Sequence, residues 1–341
     1  LPLSGLRVVE LHAIGPVPFA GQLLRQLGAT IHRVSPPQDP GLGVGKSGQY
    51  DMLNAGKLVE TLDLKSAEGM AALDKLLATA DVMLEGFRPG VLERLGLAPQ
   101  TLLGKHPRLV IGRLSGWGLK GALTDRAGHD INYLGLTGLL NAIGTAERPV
   151  PPLNVVADFG GGAMHLLVGV LARLVQRSIS GKGGTVETSI LAGTVGLSPM
   201  FYGMLASGAW QIGREANLLD GAPPFYRVYK TKDDKFVSAG PIEAKFYLEM
   251  IKLTGTQGQV DPAKQMDRGT WAETAATFQK AFLTKTRDEW AELAQHCDCC
   301  VAPVLDFLEA TRHPHNIDNR LYKAEPFPQV DQLMEFDRGL R

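Results

Sequence analysis

Leu6-Arg7-Val8-Val9-Glu10-Leu11 and, some twenty residues on, Thr30-Ile31-His32-Arg33-Val34-Ser35 are the runs on which the fold turns. Both are short and carry β-branched residues, the first reads as a buried strand, and a helical stretch near Pro18–Leu27 separates them. Working outward, the same alternation continues. A helix is predicted over Ala67–Thr79, with Leu73, Leu76 and Leu77 on one face and Ser66 placed to cap it. Strands follow at Asp81–Phe87 and Arg108–Leu114. From Gly162 an apolar helix runs to about Gln176, stops at the SISGKGG stretch, and leads into a strand at Thr185–Ile190. Strands alternating with helices predict an α/β fold: a parallel sheet with helices on both faces.

Near residue 222 the texture changes. The run Phe225–Gly240 alternates about Asp233-Asp234, a hairpin signal, and amphipathic helices are predicted at about Glu243–Thr254, Thr270–Leu283 and Arg287–His296. The expected organisation is a large domain over 1–200, completed by about 306–341, a linker at 201–221, and a smaller α+β domain at 222–305.

Composition removes several function classes. The 341 residues carry 35 Lys and Arg against 35 Asp and Glu, which excludes a general polyanion-binding surface. Basic residues are nowhere interleaved with aromatics, so no nucleic-acid partner is expected. Cys297, Cys299 and Cys300 form one crowded run, which is no disulfide framework and suits a reducing compartment. His296 beside them has no second ligand cluster elsewhere, so no metal is expected. The start, LPLSGLRVVEL, does not read as a secretory leader. Residues 191–212 are uncharged, but Gly193, Ser198, Pro199, Gly203, Ser207 and Gly208 break their apolarity, so a buried helix pair fits better than a membrane span. A cytoplasmic protein with no membrane partner is expected.

Two glycine clusters invite a phosphate-binding reading. GLGVGKS (residues 41–47) has Pro40 where a phosphate loop needs glycine, and no strand leads into it, so it reads as a surface loop. Gly160-Gly161-Gly162 opens a helix after a strand-like run. Its amides suit an anion, and its lack of side chains equally suits close packing; the sequence leaves both open.

Two polar segments stand in apolar surroundings: Gly128-His129-Asp130-Ile131-Asn132-Tyr133 and Leu153-Asn154-Val155-Val156-Ala157-Asp158-Phe159-Gly160. A histidine at a helix start is commonly a cap, and an aspartate before glycines commonly an N-cap. The pattern alone leaves a catalytic role for either residue open beside the capping one. Histidine side chains titrate near neutrality, and an aspartate flanked by Val155, Val156, Ala157 and Phe159 is raised by burial.

GHDINY followed by PPLNVVADFGGG resembles the α-methylacyl-CoA racemases of the family III CoA-transferase superfamily. LSGLRVVEL (3–11), LEGFRPGVLERLGL (84–97), LSGWG (114–118), NLLDGAPPFY (217–226), GPIEAKFY (240–247) and CVAPVL (300–305) extend the resemblance along nearly the whole chain. It implies a large Rossmann-like parallel-sheet domain with a smaller α+β domain, in an interlocked homodimer. It implies racemisation of 2-methylacyl-CoA thioesters, a reaction of lipid and fatty acid metabolism. His129 and Asp158 then face each other across the α-carbon, and the amide of Asp130 holds the enolate oxygen. Glu243 orients His129, and Asn154 hydrogen-bonds Asp158. Tyr133, four residues after His129, is expected in the core.

The substrate's CoA moiety is the only nucleotide implied, with no separate cofactor. Arg33, Arg88 and Arg94, with Gly86 and Phe87, match the segments expected around CoA. A second arginine that relatives carry is here Pro36, and Lys57 is expected to substitute for it. Met164, Met200, Met204 and Met250 suit either an adaptable acyl surface or the core. The alternative within the superfamily is a CoA-transferase, in which Asp158 is a nucleophile forming a mixed anhydride. Such enzymes usually lack a histidine at position 129, and DGAPPFY is not the glycine-rich loop many of them carry.

Overall fold

The computed structural model describes residues 1–38, 40–41, 48–323, 329–330 and 334. It divides into two units, Leu1–Leu139 with Pro152–Pro199, and Leu140–Pro151 with Met200–Asp331.

The first unit holds strands β1 (Arg7–Leu11), β2 (Thr30–Ser35), β3 (Leu58–Thr61), β4 (Val82–Glu85), β5 (Val110–Ser115) and β6 (Gly184–Ser189). They form one sheet in the order β3-β2-β1-β4-β5-β6, every pair parallel. In β1, Val9 pairs His32 on one side and Met83 on the other. Val8, Val9 and Leu11 are buried with Val82, Leu84, Val110 and Ile111, as strands covered on both faces require. The unit's α-helices longer than four residues are α1 (Pro16–Gln26), α2 (Ala67–Leu77), α3 (Pro99–Lys105), α4 (Asp130–Leu136), α5 (Met164–Ser180) and α6 (Ile190–Val195). Ser66 caps α2 as expected, accepting from the Gly69 amide at 3.0 Å. By length and composition the helical stretch Leu153–Ser180 is apolar enough to cross a bilayer. Within this unit its Leu166, Leu167 and Val170 are buried, and α5 packs on β5 and β6.

The second unit has its own core. The predicted hairpin forms as β7 (Arg227–Lys230) and β8 (Phe236–Ala239), with Asp234 in the left-handed region at φ 60°. A third strand, β9 (Val301–Pro303), pairs antiparallel with β8. Helices α7 (Ala244–Thr254), α8 (Trp271–Phe282), α9 (Arg287–Ala294) and α10 (Phe307–Arg312) accompany them. Helical spacing brings Trp271, Ala275, Phe278 and Phe282 onto one buried face of α8. Phe282 stacks on Tyr229 of β7 with ring centroids 4.9 Å apart.

The division differs from the expected one in three places. Residues 140–151 belong to the second unit, where Arg214 donates to the carbonyls of Thr145 (2.6 Å) and Asn141 (3.1 Å). Residues 201–221 are not a bare linker: Pro199–Ala206 is helical, and Asn217 and Asp220 lock the following turn. Residues 306–323 also stay with the second unit. Glu309 of α10 there pairs with the side chains of Arg287 (2.5 Å) and Lys235 (2.9 Å).

Candidate active site

In the sheet order, β1 and β4 are neighbours at the point where the winding reverses, and α/β folds bind ligands beyond the C-terminal ends of such strands. A cavity of about 740 Å³ lies there, entirely within the first unit. Its walls are His12–Val17 after β1, Gly86–Pro89 after β4, Gly116 and Trp117 after β5, and Gly128, His129, Tyr133 and Asp158.

His129 is the N-cap residue of α4, with extended backbone at φ −130°. The Asn132 side chain accepts from its amide at 3.0 Å, so this helix start is closed by Asn132 and the imidazole stands on the cavity wall. Tyr133 is buried, as expected, and also lines the cavity. Its hydroxyl donates to the Gly128 carbonyl at 2.6 Å and its ring meets Trp117 edge-on at 4.7 Å. These contacts fix the residue before His129.

Asp158 does not cap a helix, and the run before the glycines is not a strand. Leu153–Val155 is a 3-10 turn, and Val156–Ala163 is a π-helix that runs into α5. The Met164 amide accordingly bonds the Phe159 carbonyl, five residues back. Wide turns of this kind are rare and recur at functional sites. Phe159 stacks on Phe19 of α1 at 4.5 Å. Gly15, at φ 66°, lies so close that a Cβ there would sit 3.2 Å from Asp158 Oδ2. Burial pushes the Asp158 carboxyl up to about 6, and the nearby Asp130 charge adds to this. The Asn154 side-chain hydrogen bond and His129 act in the opposite direction. Asn154 therefore meets Asp158 as expected.

Asp130 is 8% exposed, and its Oδ1 accepts from the Asp158 amide at 2.7 Å, while its carboxylate also accepts from the Ala157 amide. The glycine question is also answered. A Cβ on Gly161 would fall 2.6 Å from the Thr194 backbone nitrogen, and one on Gly193 would collide with the Gly161 carbonyl oxygen. These glycines let the π-helix and α6 touch backbone to backbone.

The residues expected around CoA separate into two groups. Gly86, Phe87 and Arg88 line the cavity. Their loop is pinned by the Phe87 amide donating to Glu85 at 2.7 Å, while Arg113 holds the other oxygen of Glu85 at 2.7 Å. Arg33 donates to His12 Nδ1 at 3.1 Å, placing it behind the cavity wall. Arg94 is exposed and lies off the wall. Lys57 corrects the expectation outright. Its ammonium is buried against both carboxylate oxygens of Glu10 (2.8 and 2.7 Å), the Pro18 carbonyl (2.9 Å) and Asn54 (3.2 Å). A cation so enclosed has no face left for a phosphate.

Glu243 belongs to the second unit, exposed at the N-cap of α7. Sequence reasoning missed His12, Lys65 and Arg126 on the cavity wall. They lie outside regular periodic stretches, so only the fold brings them together. Among the described residues no group of three or more His, Cys, Asp or Glu is placed to hold a metal. Residues 42–47 of the phosphate-loop lookalike lie outside the described residues.

A six-stranded parallel sheet wound in this order has its counterpart among known proteins. The chain belongs to CoA-transferase family III, whose sequence pattern matches residues 3–337. α-Methylacyl-CoA racemase of Mus musculus is 42% identical over 315 residues, 92% of this chain and 80% of that protein. The Homo sapiens α-methylacyl-CoA racemase is 40% identical over 319 residues, 93% of this chain and 81% of that protein. In three dimensions a CaiB/BaiF family protein from Brucella suis superposes with a TM-score of 0.81, covering 99% of this chain and 93% of that one at 24% identity. That likeness concerns the fold.

Proposed function

We propose that this protein is a racemase that inverts the α-carbon of 2-methylacyl-CoA thioesters by two-base proton transfer. The observation that carries the reading is the placement of His129 and Asp158, from two separate segments, on the walls of one cavity. One base takes the α-proton, and the C–H electron pair moves into the thioester to give an enolate. The conjugate acid of the other then delivers a proton to the opposite face. Asp158 suits either duty near neutrality, because burial holds its carboxyl up to about 6. The amide of Asp130 stabilises the enolate oxygen. Arg88, on the wall, attracts the CoA phosphates. Relatives at 40–42% identity that bear the racemase name support the same reading.

We place the protein in a reducing, cytoplasmic compartment, in keeping with its three free thiols. We assign it a homodimer in which Glu243 orients His129; light scattering that finds a particle of 36.7 kDa, one chain, would remove that assignment.

The deciding experiment incubates each enantiomer of a 2-methylacyl-CoA in deuterated water with no acceptor acid. Both should take up deuterium at the α-carbon and interconvert. His129→Ala and Asp158→Ala should each slow this by about 10²–10⁴-fold, the usual contribution of a general acid–base group. Acceptor-dependent CoA transfer with the stereocentre intact and no deuterium uptake would overturn the proposal in favour of a transferase with Asp158 as nucleophile.

A further inference from the structure

We infer that the carboxylate of Asp130 is a positioning residue that fixes the gap between the two proton-transfer groups and sets the charge one of them feels. The inference rests on the racemase reading above. Asp130 follows His129 by one peptide bond, so its backbone cannot shift without moving that base. Its side chain reaches the other segment, where Oδ1 accepts from the amide of Asp158 at 2.7 Å and the carboxylate accepts from that of Ala157. One residue is thus continuous with the first base and clamped to the second.

The clamped amides belong to the opening turns of a helical run that starts at Leu153. The first N–H groups of a helix have no partner within it, and a side chain from elsewhere must satisfy them if they are buried. A neutral oxygen would serve for that alone. A carboxylate that is 8% exposed carries a desolvation cost, which its two charge-assisted bonds offset. Its charge also stands next to Asp158 and raises that group's affinity for a proton.

Few other charges face Asp158 within the unit. His129 contributes from the start of α4 and the Tyr133 phenol from the same helix, while His12, Asp63, Lys65, Arg88 and Arg126 lie elsewhere on the cavity wall. Asn154 is neutral, α1 and the residue before it present Phe19 and Gly15, and α6 carries no ionisable residue. His165 of α5 turns to Gly193 and Gly196 of the α6 segment instead. Asp130, bonded to the Asp158 amide, is the carboxylate whose charge acts on Asp158.

The test uses the full chain and two substitutions. Asp130→Asn keeps an oxygen for the two amides and removes the charge; Asp130→Ala removes both. For each, kcat and KM are measured for both enantiomers across the neutral range on either side of pH 7, alongside Tm and wild-type α-deuterium exchange. Asp130→Asn should move one limb of the pH profile to lower pH by about 0.5–1 unit, with KM within about twofold. Asp130→Ala should lower kcat by about 10²-fold at unchanged KM, the cost of misplacing a base by about 1 Å. If Asp130→Asn leaves both limbs where they are in the wild type, the inference is wrong. Should Asp130→Ala fail to fold, the Asp130→Asn profile still decides. Absence of exchange in the wild type would defeat the racemase reading itself, an outcome separate from an unmoved limb in an active variant.

Discussion

Replacing Lys57 by methionine distinguishes a buried structural cation from a phosphate ligand. Both side chains of the Lys57–Glu10 pair are 0% exposed. Gly21 of α1 roofs the pair so closely that a Cβ there would collide with Glu10 Oε2. Burial drives the Glu10 carboxyl up and the Lys57 ammonium down, so each is held in its charged form chiefly by the other. Removing one partner of such a pair costs about 3–5 kcal/mol, because an uncompensated charge is left in the interior. At about 2–4 °C per kcal/mol for a unit of this size, Tm should fall by about 6–20 °C at neutral pH. In Lys57→Met the lone Glu10 binds a proton more tightly folded than unfolded, so the loss should grow as pH rises from about 5 to 8. The double variant Glu10→Gln/Lys57→Met should recover most of the stability. The assay is thermal unfolding by circular dichroism, with KM for a 2-methylacyl-CoA measured in parallel and expected to stay near the wild-type value on the folded fraction. An unshifted Tm, together with a raised KM at unchanged kcat, would refute the reasoning and restore Lys57 as a phosphate contact.

The pH dependence of stability should carry the signature of Asp158. Its carboxyl is raised from 3.8 to about 6, so the folded state binds the extra proton and stability falls as pH rises through that window. Asp158→Asn should flatten this slope and be more stable than wild type by about 1–2 kcal/mol above neutral pH, a discounted figure for a half-buried group, with the gap closing near pH 4. Urea unfolding at several pH values checks it, and a variant less stable than wild type above neutral pH contradicts it. Gly161→Ala should destabilise by about 2–3 kcal/mol or more, since its Cβ would lie 2.6 Å from the Thr194 backbone nitrogen and backbone cannot step aside. Gly104→Ala, within α3 and with nothing near its Cβ, should by contrast be neutral or stabilising in the same thermal assay.

The buried strands were legible because burial on both faces leaves continuous apolar runs, as in β1 and β4. The edge strand β3 was not. Leu58 and Val59 are exposed there, and its few residues carry no buried pattern. Leu153–Ala157 misled for a related reason: β-branched residues suggest a strand, yet it forms a 3-10 turn and the start of a π-helix held by contacts with α1, α4 and α6. The site residues in GHDINY and ADFGGG were found through resemblance, and the fold then brought both segments to one cavity. Lys57 shows what a linear pattern cannot carry. Its position matched a phosphate contact, whereas its role depends on Glu10, 47 residues earlier in the chain.

The wide turn that carries Asp158 makes the site sensitive to a count of residues as well as to their identity. A regular helix turns by about 100° per residue, and the π-helix fits more chain into each turn than that pitch allows. Deleting one residue there, Gly160 for instance, would let α-type pairing run unbroken from Val156 into α5. The seating of α5 on β5 and β6 would persist, while the segment ahead of the deletion would swing by about 100° about the axis. Asp158 would leave the cavity wall, and Ala157 and Asp158 would withdraw their amides from Asp130. Such a chain would retain His129, Asp130, Asn154 and Asp158 and still lose the placement of His129 and Asp158 on one cavity. On the racemase reading, insertions and deletions in this stretch are therefore a separate route to an inert family member, invisible to any inspection of which site residues are present.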